Sequence, residues 1–184
     1  LPSEILTLVK ENDVAGLKIQ MDQTAFTLEP DTFGTVEAGQ TINLAAEVVE
    51  NAVVSKPSQA EPLASIPVME FSASVGGQQV KSFAKPIEVT FDVSSIDTSK
   101  YSGANLENLT VYLLNNESLT WEAVGGKYDP VTQTVTTPRG HFSRYTVMLA
   151  KAAFTDVSAN HWAVQEINYL LNKGILDQSA EFRP

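Results

Sequence analysis

Apolar positions along this chain keep two different periods. Residues 3–12 place Ile5, Leu6, Leu8 and Val9 on one side of a helix behind Ser3, a residue suited to cap an N-terminus, with Gly16 beyond. A short leading helix is expected. From Leu17 the period becomes two: Leu17, Ile19 and Met21 alternate with Lys18, Gln20 and Asp22, and helical spacing does not return for most of the chain. Further strands are expected over residues 42–49, 68–75, 87–93, 109–114, 121–124, 134–137 and 145–150, parted by Gly, Pro, Asn and Asp. Short strands in such a succession predict a mainly β chain, an antiparallel β-sandwich.

The separators carry turn chemistry of their own. Gly76-Gly77 suits a tight hairpin, Gly125-Gly126 and Asp129-Pro130 bound another, and Asn115-Asn116 tolerates positive φ. Residues 55–67, with Pro57, Pro62 and Pro67, read as a surface loop. The polar stretch 94–108 reads as a long crossover held to the sandwich by Ile96, Tyr101 and Leu106. Past Lys151 the helical period returns, with Ala163, Ile167, Leu170 and Leu171 in a stripe over residues 160–173 and Ser158 or Asn160 as cap. Gly174 followed by Ile175 has the form of a Schellman stop, in which the next apolar residue folds back on the last turn. This second change of period predicts a junction at residues 151–153, between a β module over 1–150 and a separate module over 151–184.

Composition narrows the chemistry. The 184 residues hold 22 Asp plus Glu against 12 Lys plus Arg, a formal net charge of −10, and no stretch gathers the basic residues into a patch, so nucleic acid is not an expected partner. With 43% hydrophobic residues the chain can bury a core. It has no Cys and two His, which removes disulfides, thiolate metal sites and a thiol nucleophile, and no metal or cofactor is expected. No apolar run approaches the ~20 residues of a membrane span. Leu1-Pro2-Ser3 lacks the features of a signal peptide, so the sequence is expected to begin inside a longer chain. Acidic residues on alternating strands read as a solvated face, and no Asp-x-Asp-x-Asp-Gly calcium loop occurs. A glycosidase carboxylate pair is assembled by the fold and leaves no local signature, so that class stays open.

One segment is specific. Phe154-Thr-Asp156-Val157, then His161-Trp162-Ala163, a helix ending in Gly174-Ile175, and Phe182-Arg-Pro184 stand in the order of the opening half of an S-layer homology repeat, which this segment resembles. The resemblance implies a secreted protein of a Gram-positive cell surface, whose complete repeats dock without covalent bonds onto secondary cell-wall polysaccharide. The family's second helix, of Ile-Thr-Arg-Ala-Glu type, is missing after Pro184, so this half repeat is not expected to anchor by itself. Asp156 and Trp162 are the polysaccharide-binding candidates: the Trp face suits sugar C–H surfaces and its N–H can reach a hydroxyl. Read from the residues alone, Asp156 equally satisfies backbone donors, and His161, which could titrate against an acidic polymer, equally caps the helix. The apolar stripe, with no second helix to cover it, predicts weak self-association through residues 154–184.

A shorter motif, His141-Phe142-Ser143 before the last strand, resembles the end of ZU5-type domains, some of which cleave themselves between Phe and Ser. Such a cut needs a strained peptide bond, attack of the Ser hydroxyl on the preceding carbonyl, and a His to move the proton. Otherwise Phe142 fills the core, Ser143 starts the strand and His141 bonds across a turn. The leading expectation is a non-enzymatic extracellular module, a spacer or interaction domain beside wall-anchoring repeats. The alternatives are autoproteolysis at Phe142-Ser143 and a domain that binds or cleaves glycans.

Overall fold

In the computed structural model, which describes residues 1–50, 59–101, 106–158, 160–176 and 181–182, Ser3 opens the leading helix α1 (Ser3–Glu11) instead of capping it. Pro2 takes the extended N-cap position with no side-chain cap, and the Ser3 amide donates to Gln40 O at 2.9 Å, so backbone pairing fixes the helix start. Leu6 and Val9 face inward. Asp13, at φ 53°, takes the left-handed position past the helix end. Gly16 serves a different purpose, since a Cβ there would come within 3.0 Å of Leu28 O.

The strands among the described residues are β1 (Leu17–Gln20), β2 (Thr24–Leu28), β3 (Ile42–Val48), β4 (Ala60–Pro62), β5 (Met69–Val75), β6 (Gln78–Gln79), β7 (Ile87–Asp92), β8 (Leu109–Asn115), β9 (Thr120–Ala123), β10 (Lys127–Asp129), β11 (Thr134–Arg139) and β12 (Arg144–Ala150). They form two antiparallel sheets. One runs β1-β2-β7-β11-β10; the other runs β3-β5-β12-β8-β9, with β4 added to β12 and β6 to β5. Phe26, Val89 and Val135 from the first sheet share one core with Phe71, Val111 and Val147 from the second, which is the expected sandwich. Strand β12 is buried on both faces. Tyr145, Val147 and Leu149 enter the central core, while Met148 and Ala150 join Tyr112, Trp121 and Val68 in a smaller cluster, and this explains the unbroken apolar run at 147–150.

The expected strands are present, and β2, β4, β6 and β10 are additional. Thr24, Ala25, Phe26 and Leu28 are all buried, so β2 shows no alternation to read. Strand β4 falls inside the Pro-rich stretch read as a loop, where Ala60, Glu61 and Pro62 pair with Ala150, Leu149 and Met148. Gly76 and Gly77, at φ 56° and 83°, make the β5–β6 hairpin as expected. After β8 the positive φ belongs to Leu119 (56°), not to the Asn pair; Asn115 Oδ1 instead accepts from the amides of Glu117 and Ser118 at 2.9 and 3.1 Å. In the crossover Ile96 and Leu106 are buried and Tyr101 half-buried, as expected. Residues 55–58 of the loop, 102–105 of the crossover and the last two residues of the Phe182-Arg-Pro184 motif lie outside the described residues.

The C-terminal helix α2 (Val164–Asn172) starts later than the apolar stripe suggests, because residues before it form turns: Ser158 Oγ accepts from the Asn160 amide at 3.2 Å, and His161 Nδ1 from the Ala163 amide at 3.2 Å. Its end is a Schellman motif. Gly174 (φ 70°) donates to Leu171 O and Ile175 to Leu170 O, both at 3.0 Å. Ile175 itself stays 66% exposed, and Leu176 takes the expected fold-back position. Ala163, Ile167 and Leu171 are covered by Ala152, Phe154, Val157, Leu176 and Phe182 of the same chain. Three of the four stripe residues are thus covered within the chain, and Leu170, half-buried, lies outside that cluster and lines a surface cleft. No helix among the described residues is long and apolar enough to cross a membrane.

Candidate functional site

The two residues implied by the repeat resemblance occupy contrasting environments. Asp156 Oδ1 accepts the Phe182 amide at 2.7 Å, and the rings of Phe154 and Phe182 lie 5.4 Å apart, so this carboxylate ties the segment before α2 to the segment after it. Trp162 is 90% exposed, with the His161 ring stacked beside it at 5.8 Å. His161 Nδ1 holds the Ala163 amide in the turn before α2, whose N-cap, Ala163, makes no side-chain cap, while the Trp162 face stands open to solvent.

The His141-Phe142-Ser143 corner is built around an aromatic cluster. The Phe142 ring lies 4.8–5.6 Å from Phe26, Phe71 and Phe83, and the Ser143 carbonyl accepts from the Phe71 amide at 2.9 Å, continuing the pairing of β12 with β5. The buried Tyr145 hydroxyl donates to His141 O at 2.8 Å, a tie from a strand start back to the preceding corner. His141 Nδ1 is 3.5 Å from Phe142 O, the carbonyl that a Ser143 attack would use. None of the three residues has positive φ. The corner thus brings His and carbonyl together, on a backbone held by ordinary sheet and core contacts.

The residues that sequence reading missed gather where α2 meets the sandwich. Asn172 Oδ1 accepts from the Ala152 amide at 2.7 Å, and its Nδ2 donates to Asn108 Oδ1 at 3.4 Å. Lys173, only 6% exposed, sends Nζ to Leu109 O at 2.6 Å and passes 5.3 Å over the Tyr169 ring. Burial pushes this amine down to about 8, with Glu107 acting the other way. Gly174 sits so near β9 that a Cβ would come within 2.9 Å of Ala123 O. A signal was present in the sequence: Tyr169 and Lys173 stand four apart on the helix, a spacing that lets ring and amine meet. What the sequence lacked was the surface they dock against.

Beside this joint lies a cleft of about 530 Å³ lined by Glu107, Asn108, Gln165, Glu166, Asn168, Tyr169 and Leu170. A second depression of about 740 Å³ lies between α1 and the loops around Asp31 and Lys85, where the ion pairs Lys10–Asp31 and Lys85–Glu29, each 2.8 Å, engage its charges with one another. Among the described residues no group of three or more His, Asp or Glu is placed to hold a metal ion.

No family model matches the chain. Over 94 residues it is 33% identical to an amylopullulanase of Thermoanaerobacterium thermosulfurigenes, a match that takes in 51% of this chain and 5% of that enzyme's length. The chain is thus similar to a small part of a much longer protein.

Proposed function

We propose that this chain is a non-catalytic module of a bacterial cell-surface protein, a spacer or interaction domain beside S-layer homology repeats that hold the protein to secondary cell-wall polysaccharide. The observation that carries the reading is the form of residues 152–176: the repeat-like motif folds into a helix with its own apolar cluster, and that helix is joined to the sandwich through Asn172 and Lys173. A bonded joint suits a module that passes position from an anchor to whatever lies beyond it. Likeness to a short part of a long amylopullulanase supports the reading, because a match of that size suits a module accompanying a catalytic region. On this reading the protein is extracellular, the half repeat contributes no anchorage alone, and Asp156 is structural while Trp162 remains available to the polymer.

Incubating the purified chain with pullulan, starch and isolated cell-wall glycan, and measuring reducing ends, tests the non-catalytic part. No release above a buffer control is expected. Release that survives repurification and is lost on Glu107→Gln or Glu166→Gln would make the chain a hydrolase and overturn the proposal.

A further inference from the structure

The cleft between α2 and the start of β8 shares Asn108 and Tyr169 with the joint and adds four further polar residues, Glu107, Gln165, Glu166 and Asn168. We infer that it is a binding site for a neutral saccharide, a chain of sugar rings presenting hydroxyls and no charge. Five of its lining residues, Glu107, Asn108, Gln165, Glu166 and Asn168, end in amides or carboxylates, and Tyr169 adds an aromatic ring. Amides donate and accept, carboxylates accept, and an aromatic face takes the C–H side of a pyranose, which together match vicinal hydroxyls on a ring. The volume of about 530 Å³ falls within the ~300–1,000 Å³ of small-molecule sites.

Two lining groups are already held in place. Asn108 Oδ1 accepts from Asn172 Nδ2, and the Lys173 amine sits over one face of Tyr169, so less freedom is lost on binding. Asn168 also lines the cleft, and its Oδ1, shielded from solvent, has no hydrogen-bond partner among the described residues, an acceptor that the fold leaves unused. Charge selects against other ligands. Glu107 and Glu166 form no ion pair among the described residues, the neighbouring Lys173 amine is engaged with Leu109 O, and the chain carries −10 overall, so a polyanion is repelled. The inference does not rest on the surface-module reading, since the cleft would bind sugars wherever the protein resides.

Titrating the isotopically labelled full chain by heteronuclear NMR tests it. Maltotriose and triacetylchitotriose serve as probes for an α-glucan and a wall-type glycan, and polygalacturonate as the anionic contrast. The expected result is that at least one neutral probe shifts the amides of Asn108, Gln165, Glu166 and Tyr169, saturating in the millimolar range. Tyr169→Ala and Gln165→Ala should each weaken that response by about tenfold while the sandwich amides keep their positions. Gln165 is exposed, so its variant remains informative if loss of Tyr169 disturbs the joint. The inference is overturned if neither neutral probe shifts these residues, if both variants respond like the parent, or if polygalacturonate is the stronger ligand there.

Discussion

Replacing Lys173 by Met removes a buried amine and keeps an unbranched side chain of similar length against Tyr169. Burial holds the folded amine at about 8, against 10.5 for an ordinary lysine. Between those two values the unfolded chain keeps a proton that the folded chain has released, so stability rises with pH across that window and is level below it. Each pH unit is worth ~1.4 kcal/mol, so the parent gains about 2–3 kcal/mol from this group between pH 7 and pH 10. At pH 7 Lys173→Met loses a hydrogen bond from a charged donor, ~1.5–3 kcal/mol, and is relieved of a burial cost of similar size, so the two proteins should lie within about 1 kcal/mol of each other. The neutral amine still donates to Leu109 O, which keeps α2 docked at high pH. Tyr112 and Tyr145 act in the opposite sense: burial holds both phenols at about 12, so stability falls with pH above their ordinary value of 10. That loss is common to parent and variant. Urea unfolding at pH 7, 8, 9 and 10 should therefore show the parent's advantage over Lys173→Met growing by 2–3 kcal/mol, and parallel curves would refute the reasoning.

Gly174→Ala combines a left-handed backbone with a Cβ 2.9 Å from Ala123 O, so it should cost upward of ~2 kcal/mol and expose the α2–β9 joint to limited proteolysis; an unchanged digestion pattern would count against that close approach. Tyr145→Phe should lower stability by about 1 kcal/mol in urea unfolding, through loss of the bond to His141 O, with the aromatic cluster around Phe71 and Phe142 retained. The parent and Ser143→Ala should both keep one intact mass through prolonged incubation; a fragment beginning at Ser143, seen in the parent and abolished by the substitution, would revive autoproteolysis.

How far the sequence carried depended on whether a residue's role was local. Alternation marked the strands with one wet face, such as β5, where Met69, Phe71 and Ala73 are buried and Glu70 and Ser72 between them are exposed. It failed for β2, buried nearly throughout, and for β4, three residues added to β12 from a Pro-rich stretch. The Schellman stop at Gly174 was readable because its hydrogen bonds close within one turn, whereas His161, a candidate cap, bonds the Ala163 amide in the turn before the helix and leaves the helix start without a side-chain cap. Ser3 misled: a good capping residue stands one place inside the helix because strand-like pairing of Leu1 and Ser3 with Ile42 and Gln40 sets the start. The joint was invisible, since Asn172 and Lys173 reach Asn108 and Leu109, 64 residues away in each case. Nothing in the order of residues says that a lysine beside a helix stop will be buried against a strand carbonyl.

Whether the chain belongs to a wall-held surface protein is settled by fractionating cells that make the full-length protein, using an antibody to this chain. The expected result is retention on isolated cell walls and release once secondary polysaccharide is stripped from the peptidoglycan. Recovery in the cytosol, or retention that stripping leaves untouched, would contradict a module that works beside polysaccharide-anchored repeats.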